Sequence, residues 1–375
     1  MAGSPESRSD SDSGRSEFPR GMPRAQVLQR PRMDSFSLES GRQSVPGSLV
    51  FGVVSDGYRP EAVSELARTL APFTVHVHHG FRRFPHRARA APNMRFIRHP
   101  VRTGWGTWGF ARAVATLMRA ALESGRFDYF QLLSPTCLPL TPVRRFADFV
   151  AADPCDAHLS LVDLLANNDA MVEYGFRVFA PGGSARKRLL RHARHIALGP
   201  DRTIEHHRGL AISHPSPTHR RRLVARLARG IIDAGARGWL GRHPFDARYR
   251  PYMGSTWFGA RRHVIAYLVD AIEDPASSGY FRRLDQPDEL LFATLLGNAG
   301  LRIGPLNHLV NRFDPDGHPL LFRDADIPLL RSSDRWFARK FADDPADPVR
   351  KTQIDHILAA GSREDSEHRP AMKMR

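Results

Sequence analysis

One acidic stretch of the chain is better suited to chemistry than any other. Asp285, Asp288 and Glu289 surround Pro287, and an apolar run from Leu290 to Leu296 follows directly. Proline suits a first helical turn, and the helix dipole favours carboxylates there. We therefore predict a helix that starts near Pro287, with Glu289 at the edge of the core, where a general base is both rigid and reachable. Simple N-terminal capping by these acids is the structural alternative.

A cationic segment near the end of the chain is the second candidate. Arg339 and Lys340 lie between aromatic residues, and the four-residue spacing of Phe337 and Phe341 predicts one face of a helix. Lys340 would then project at the rim of that face. It could contact a diphosphate, or it could be an ordinary solvated lysine whose stem covers apolar surface.

Metal-binding and phosphate-binding motifs are weak or missing. The sequence has no glycine-rich phosphate loop, no nucleophile elbow and no zinc-protease spacing, although it contains 18 histidines. Two Asp-x-Asp pairs, Asp314 with Asp316 and Asp324 with Asp326, could hold the Mg²⁺ or Mn²⁺ of a nucleotide-sugar. Neither follows a clear apolar strand, so turn formation and helix capping are the favoured roles.

Composition sets broad limits on the function. The 375 residues are 41% hydrophobic, enough for a large core, and the formal net charge is +16. Such a charge suits acidic partners, although an arginine-rich composition also follows from a GC-rich genome. Only Cys137 and Cys155 are present, which excludes a disulfide framework or a multi-cysteine metal site. No apolar run approaches the ~18 residues of a membrane-spanning helix.

The order of elements predicts an α/β fold. Short apolar strands are expected at residues 48–54, 73–78, 94–97 and 129–133, and amphipathic helices at 60–70 and 110–122. This β-α-β-β-α-β order indicates a mainly parallel central sheet flanked by helices. Ligands of such sheets bind at the carboxyl ends of strands, here near Ser55, His78 and Ser134.

The chain divides into three predicted parts. Residues 1–46 are rich in Ser, Arg and Pro and are expected to be disordered, residues 47–345 form the domain, and residues 346–375 form a C-terminal helix with a polar tail. The first segment lacks the apolar core of a signal peptide. We therefore expect a cytoplasmic protein, with peripheral contact to the inner membrane face as an option.

Six segments in order resemble one family. Gly104, Trp105 and Gly106 with the helix after them, and residues 127–141, 254–262, 286–289, 318–319 and 337–341, are similar to motifs of the core-2/I-branching enzymes. These are the β-1,6-N-acetylglucosaminyltransferases and their relatives, the protein xylosyltransferases. The matches extend across about residues 49 to 345, and the chain resembles a bacterial-type member.

The resemblance implies a GT-A-like fold and a metal-independent, inverting transfer from a UDP-sugar to a hydroxyl of a glycan or glycoconjugate, so no metal and no cofactor are expected. N-acetylglucosamine or xylose would be the sugar, and Glu289 falls on the family's catalytic base. The nucleotide would be contacted by Val54, Ser55, Asp56, His78, Arg102 and Lys340. The remaining substrate contacts would be Trp105, Ser134, Gly254, Ser255, Trp257 and Asp288.

The sequence also departs from the family pattern. His78 stands where an aspartate is expected at the nucleotide, and the arginine expected beside Lys340 is missing, with Arg312 or Arg323 as substitutes. Two rival functions follow. One is a non-catalytic member that only binds saccharide or nucleotide, and the other is a basic nucleic-acid-binding protein, motivated by the net charge but lacking a recognition motif.

Overall fold

The computed structural model describes residues 48–81, 83–84, 90–104, 106–207, 210–314 and 318–367. The predicted tail at residues 1–46, Trp105 and Asp316 lie outside the described residues. No helix in the described ranges is both long enough and apolar enough to cross a membrane.

Fourteen short strands and twelve α-helices make up the regular structure of the described residues. The strands are β1 (Leu49–Val54), β2 (Thr74–His78), β3 (Met94–Phe96), β4 (Tyr129–Leu133), β5 (Cys137–Pro139), β6 (Ala157–His158), β7 (Leu161–Asp163), β8 (Arg202–His207), β9 (Leu210–Pro215), β10 (Tyr252–Gly254), β11 (Gly259–Arg261), β12 (Ile303–Gly304), β13 (Leu309–Val310) and β14 (Phe337–Arg339). The helices are α1 (Pro60–Thr69), α2 (Trp108–Glu123), α3 (Val143–Ala152), α4 (Asn168–Val178), α5 (Ala185–Leu198), α6 (Pro217–Arg221), α7 (Leu223–Ala236), α8 (Arg262–Glu273), α9 (Pro275–Ser278), α10 (Asp288–Gly297), α11 (Ile327–Ser332) and α12 (Pro348–Glu367).

A seven-stranded sheet organises the fold, in the order β12-β6-β11-β4-β1-β2-β3. Every neighbouring pair is parallel except the two that involve β11. The predicted class, an α/β fold with a mainly parallel central sheet flanked by helices, is therefore confirmed. Small additional sheets are formed by β10 with β7, by β13, β14 and β5, and by β8 with β9.

Strand β1 shows why two helical layers cover this sheet. Val50 and Val54 face a core that contains α2, α8 and α10, whereas Phe51 and Val53 face a second core with α1, α3 and α12. The alternation follows from the two-residue period of a strand, and burial of both faces explains its unbroken apolar sequence. Gly52 lies between Val50 and Val54 on the same face of β1. Only glycine fits there, because a Cβ would lie 2.4 Å from the ring of Phe130.

One buried arginine joins the second core to the C-terminal helix. The guanidinium of Arg350 donates to Glu65 Oε2 at 2.7 Å and to the carbonyl of Ala62 at 2.7 Å, both on α1. It also donates to the carbonyls of Pro135 and Ala342 at 3.1 Å. Arg350 is completely buried. This one side chain joins α12 to α1, to the segment before β5 and to the segment after β14.

Candidate active site

The carboxyl ends of the adjacent strands β1, β2 and β4 meet at one edge of the sheet. The amide of Ser55, directly after β1, donates to the carbonyl of His78 at 2.9 Å, and Ser55 Oγ lies 2.8 Å from Nδ1 of His79. Ser134 and Thr136 follow β4, and their hydroxyls are 2.8 Å apart. This is the edge at which a parallel sheet binds its ligands.

His78 supports Asp56 at this edge. The ring is fully buried, the amide of Val101 donates to Nε2 at 2.9 Å, and Nδ1 lies 2.8 Å from Asp56 Oδ2. An Nε2 that accepts leaves the proton on Nδ1, so His78 is a neutral donor to Asp56. Burial alone would raise the pKa of Asp56, but the bond from His78 and the amide of Gly80 bring it below its usual value.

The nucleotide contact expected of His78 stays a prediction. Both ring nitrogens are used inside the protein, and the carboxylate that reaches the surface here is Asp56, whose side chain is 20% exposed. Asp56 follows β1, the strand next to β2, at whose end the family aspartate was expected. Val54 is buried at the end of β1, and Arg102 is exposed on the loop that precedes α2.

Arg339 connects this edge to Trp257. Its guanidinium lies 5.1 Å from the centre of the Trp257 ring, which is cation–π contact, and Trp257 meets Phe110 edge-on at 6.2 Å. Arg339 also lies beside Tyr58: burial raises the pKa of that phenol, and the guanidinium opposes the rise. Tyr58, Arg339 and Trp257 therefore form one continuous aromatic and cationic wall.

Lys340 is the second cation of this wall. It is half-buried, and desolvation together with the charge of Arg339 lowers the pKa of its ammonium, while Asp343 opposes the shift. Two neighbouring positive charges with one acidic neighbour suit a dianionic ligand. Arg312 and Arg323 were the two proposed partners for Lys340. Arg312 is bound to both carboxylate oxygens of Asp326 at 2.5 Å, and the cation adjacent to Lys340 is Arg339.

The helix predicted over Phe337 and Phe341 is wrong. Residues 337–339 form strand β14, which pairs with β5 and β13, and both aromatic rings are buried. A four-residue spacing also fits one face of a strand, so the pattern did not separate the two structures. Pairing with strands distant in the sequence decided between them.

Glu289 lies at the predicted helix start. Helix α10 begins at Asp288 after Pro287, and no side chain caps it. Arg177 of α4 donates to Glu289 Oε2 at 2.7 Å, with Glu289 33% exposed and Arg177 15% exposed at the side chain. No side chain caps the helix, so the capping alternative is not what the structure shows. No sequence pattern pointed to Arg177, which precedes Glu289 by 112 residues.

Asp288 occupies a drier position than Glu289. Thr256 Oγ1 donates to Asp288 Oδ2 at 2.6 Å, and desolvation together with the charge of Glu289 raises the pKa of Asp288 to about 6. The two acids thus differ in environment. Glu289 is the more accessible group with a guanidinium partner, and Asp288 fixes the helix start to the loop before β11.

Replacing Asp288 by asparagine is expected to remove a pH dependence of stability. An acid whose pKa is raised in the folded state binds more protons there than in the unfolded chain, so folding becomes less favourable as pH rises from about 4 to about 6. At about 1.4 kcal/mol per pKa unit, the contribution is at most about 3 kcal/mol. Urea unfolding of both proteins at several pH values checks this, and equal slopes in the wild type and Asp288→Asn would contradict it.

A strained turn fixes the entry to this helix. Gln286 has a φ of +50°, in the left-handed region, and its amide donates to the carbonyl of Gly106 at 2.8 Å. Gly106 itself has a φ of +68°. A non-glycine residue in this region needs support from its surroundings and is often found at functional sites. The bond joins the loop before α2 to the start of α10.

Three other predicted substrate contacts shape the surrounding loops. Ser134 is buried against Thr136 and Cys137. Gly254 packs so closely that a Cβ would lie 2.5 Å from the carbonyl oxygen of Ser160. Ser255 Oγ accepts from Asn307 at 2.8 Å and from the amide of Trp257 at 3.2 Å. The bond to Ser255 helps to hold Trp257 in place, and the roles predicted for the three residues in binding substrate stay predictions.

Asp314 and Asp326, one acid from each Asp-x-Asp pair, accept hydrogen bonds from nearby backbone amides. Asp326 accepts from the amide of Arg323 at 2.8 Å, and Asp314 accepts from that of His318 at 2.8 Å, which are capping and turn contacts. Asp153, Cys155 and His158 could bind a metal ion by their arrangement. Asp153 and Cys155 precede β6, at the sheet edge opposite the candidate site.

Comparison with known proteins gives one family match. Residues 65–155 match the family model described as Core-2/I-Branching enzyme. This segment is similar to those glycosyltransferases. It runs from α1 through β4 to Cys155, and so contains the sheet edge with His78 and Ser134 but neither Glu289 nor Lys340. The match supports the predicted glycosyltransferase class.

No curated protein matches the chain. Among solved structures, the galactosyltransferase LgtC, in complex with donor and acceptor sugar analogs, aligns at 10% identity and a TM-score of 0.30, covering 84% of this chain and 95% of its own. A score this low carries no argument about the site.

Proposed function

We propose that the protein is a metal-independent, inverting glycosyltransferase with a GT-A-like fold and that Glu289 is its general base. The observation that carries the proposal is the pair of Glu289 and Arg177 at the start of α10, near Trp257 through the bond of Asp288 to Thr256. Arg177 engages Oε2 of the carboxylate and keeps it oriented, and we assign Oε1 to the acceptor hydroxyl.

The proposed residues account for the proton that is removed and for the charge on the leaving group. Glu289 takes the proton of an acceptor hydroxyl as that oxygen forms a bond to the anomeric carbon of the donor. The bond from this carbon to the diphosphate oxygen breaks, and UDP leaves with an additional negative charge. Arg339 and Lys340 are the fixed cations that stabilise this charge, a role that Mg²⁺ fills in other transferases.

The donor and acceptor classes follow from the family resemblance. UDP-N-acetylglucosamine and UDP-xylose are the first donors to test, with a glycan or glycoconjugate hydroxyl as the acceptor. A member that binds saccharide without transfer is the second candidate, and the engagement of both His78 ring nitrogens with Val101 and Asp56 favours testing it. Nucleic acid is not expected as a partner.

The test is release of UDP by the purified full chain with a panel of UDP-sugars and EDTA present. Turnover that survives EDTA and is lost in Glu289→Gln supports the proposal. Binding of UDP by calorimetry without turnover on any donor would favour the binding-only function. If no nucleotide-sugar binds, the proposal is wrong.

Changing Lys340 to methionine is expected to lower kcat/KM by about 100-fold, because one fixed group that stabilises a developing anion contributes on the order of 3 kcal/mol. Methionine keeps the apolar stem of this half-buried side chain. Steady-state kinetics measures the effect, and Lys351→Met on the exposed side of α12 serves as the control. A loss of less than threefold would remove Lys340 from the site.

A further inference from the structure

Helix α7 is apolar on two faces. Its inner face, with Ala225, Ala228 and Ile232, is buried in the core. Its outer face carries Leu223 and Leu227, which are 67% and 62% exposed although leucine normally avoids water. These two leucines are four residues apart and so lie one above the other on the helix.

The exposed apolar area extends beyond the two leucines. Val224 is 58% exposed next to them, and Trp239, just after the helix, is 73% exposed with the guanidinium of Arg237 5.1 Å from its ring. A tryptophan with an apolar body and a polar edge suits the boundary between lipid and water. Leu223, Val224 and Leu227 lie at the start of α7 and Trp239 beyond its end, and several exposed apolar side chains on one segment mark an interaction site more often than single ones do.

Arginines surround this area. Arg221, Arg222 and Arg226 are exposed at the start of α7. Arg220 is held by Asp169 at 2.8 Å and Arg229 by the same carboxylate at 3.3 Å, so the segment is fixed to the first turn of α4. The surface thus combines an apolar stripe with a positively charged margin on a rigid support.

We propose that this surface, formed by Leu223, Val224, Leu227 and Trp239 with the arginines at its margin, docks on an anionic lipid bilayer. Apolar side chains on one helical face with basic residues beside them are the features of helices that lie in the membrane interface. A second copy of the chain fits less well, because a symmetric contact would bring the arginines of both copies together. Nucleic acid would use the arginines but leave the leucines exposed.

The position of α7 relates the membrane to the candidate site. Ile232 on its inner face packs against Gly175 of α4, where a Cβ would lie 3.1 Å from the isoleucine side chain. Two residues further along α4, Arg177 binds Glu289. One helix therefore separates the docking surface from the base, and, on the proposed function, the acceptor class is a saccharide carried on a lipid.

The experiment is co-sedimentation of the full chain with vesicles of phosphatidylcholine alone or mixed with phosphatidylglycerol. Wild type is expected to bind the mixed vesicles and to be released by salt. The double variant Leu223→Ser/Leu227→Ser should bind at least tenfold more weakly, and so should Arg221→Gln/Arg222→Gln/Arg226→Gln. Leu321→Ser/Leu358→Ser, which changes two exposed leucines elsewhere, should bind as wild type does. Circular dichroism checks that each variant is folded.

Each other outcome overturns the docking proposal. Absence of vesicle binding by wild type does so directly, and equal binding by both leucine pairs removes α7 from the contact. A dimer seen by sedimentation that Leu223→Ser/Leu227→Ser abolishes, without vesicle binding, would assign the surface to a second copy. Salt-sensitive RNA binding that only the arginine variant loses, again without vesicle binding, would assign it to nucleic acid. Because none of these readouts needs turnover, failure of the glycosyltransferase proposal would leave the membrane result intact and remove only the acceptor class.

Discussion

Changing Glu289 to glutamine is expected to lower kcat by a factor of about 10² to 10⁴, the contribution typical of a general base in position. Glutamine keeps the size of the side chain and can still accept a hydrogen bond from Arg177, so the helix start should be unchanged. It cannot take a proton from an acceptor hydroxyl. The binding of UDP-sugar should therefore persist while transfer is lost, which appears as a fall in kcat with little change in donor affinity.

The measurement is UDP release at saturating donor, together with calorimetric binding of UDP. Glu273→Gln is the matched control, because that glutamate also pairs with an arginine, Arg119, but lies on the surface of α8 with its side chain 47% exposed. Arg177→Lys keeps the positive charge and loses the planar guanidinium, so it should lower kcat less than Glu289→Gln does. Equal turnover by Glu289→Gln and wild type would refute the role of Glu289.

Changing Arg350 to methionine is expected to lower the free energy of unfolding by about 3–5 kcal/mol, because removal of one partner leaves the buried network unpaired. Glu65 would lose its cation, with its side chain only 16% exposed, and the carbonyls of Ala62, Pro135 and Ala342 would lose their donors. Methionine fills part of the space, so the loss comes mainly from unsatisfied polar groups.

Urea unfolding followed by circular dichroism gives this number. Arg68→Met, at an exposed arginine at the end of α1, should change stability by less than about 0.5 kcal/mol. The double variant Arg350→Met/Glu65→Leu should be less destabilised than Arg350→Met alone, since no unpaired carboxylate remains. If the single variant unfolds at the wild-type urea concentration, the network does not stabilise the fold.

The elements that the sequence predicted correctly have strong local patterns. The continuous apolar run at β1 indicated a strand buried on both faces, and residues 49–54 form an interior strand of the sheet between β4 and β2. The proline and acids before Leu290 indicated a helix start, and α10 begins at Asp288. In both cases the residues that determine the structure lie within one element, so no distant partner was needed.

The features that sequence reasoning missed depend on distant contacts. The hairpin of β8 and β9 was not predicted, because charged residues and histidines obscure its alternation. Strand β14 looked like a helix until its pairing with β5 was known. Arg177 became a candidate only because folding brings it to Glu289, and the contact of Arg339 with Trp257 likewise depends on the fold.

The surroundings of His78 could not be predicted from the sequence for a related reason. Its place at the end of β2 was predicted correctly, but the direction of the ring depends on the amide of Val101 and on Asp56. A substitution that seemed to remove an acid from the site instead orients a different acid. A single sequence position says which group is available, but its neighbours in space decide what it contacts.

The pairing of β14 with β5 has a consequence for biosynthesis. All seven strands of the central sheet precede residue 305, whereas Arg339 comes later and pairs with Cys137, about two hundred positions earlier in the chain. A ribosome therefore delivers every strand of the sheet before it delivers the cationic wall. A chain cut short after β12 would retain the strands of the central sheet and lack Arg339 and Lys340. Synthesis of the sheet strands and synthesis of the candidate diphosphate site are therefore separate in time.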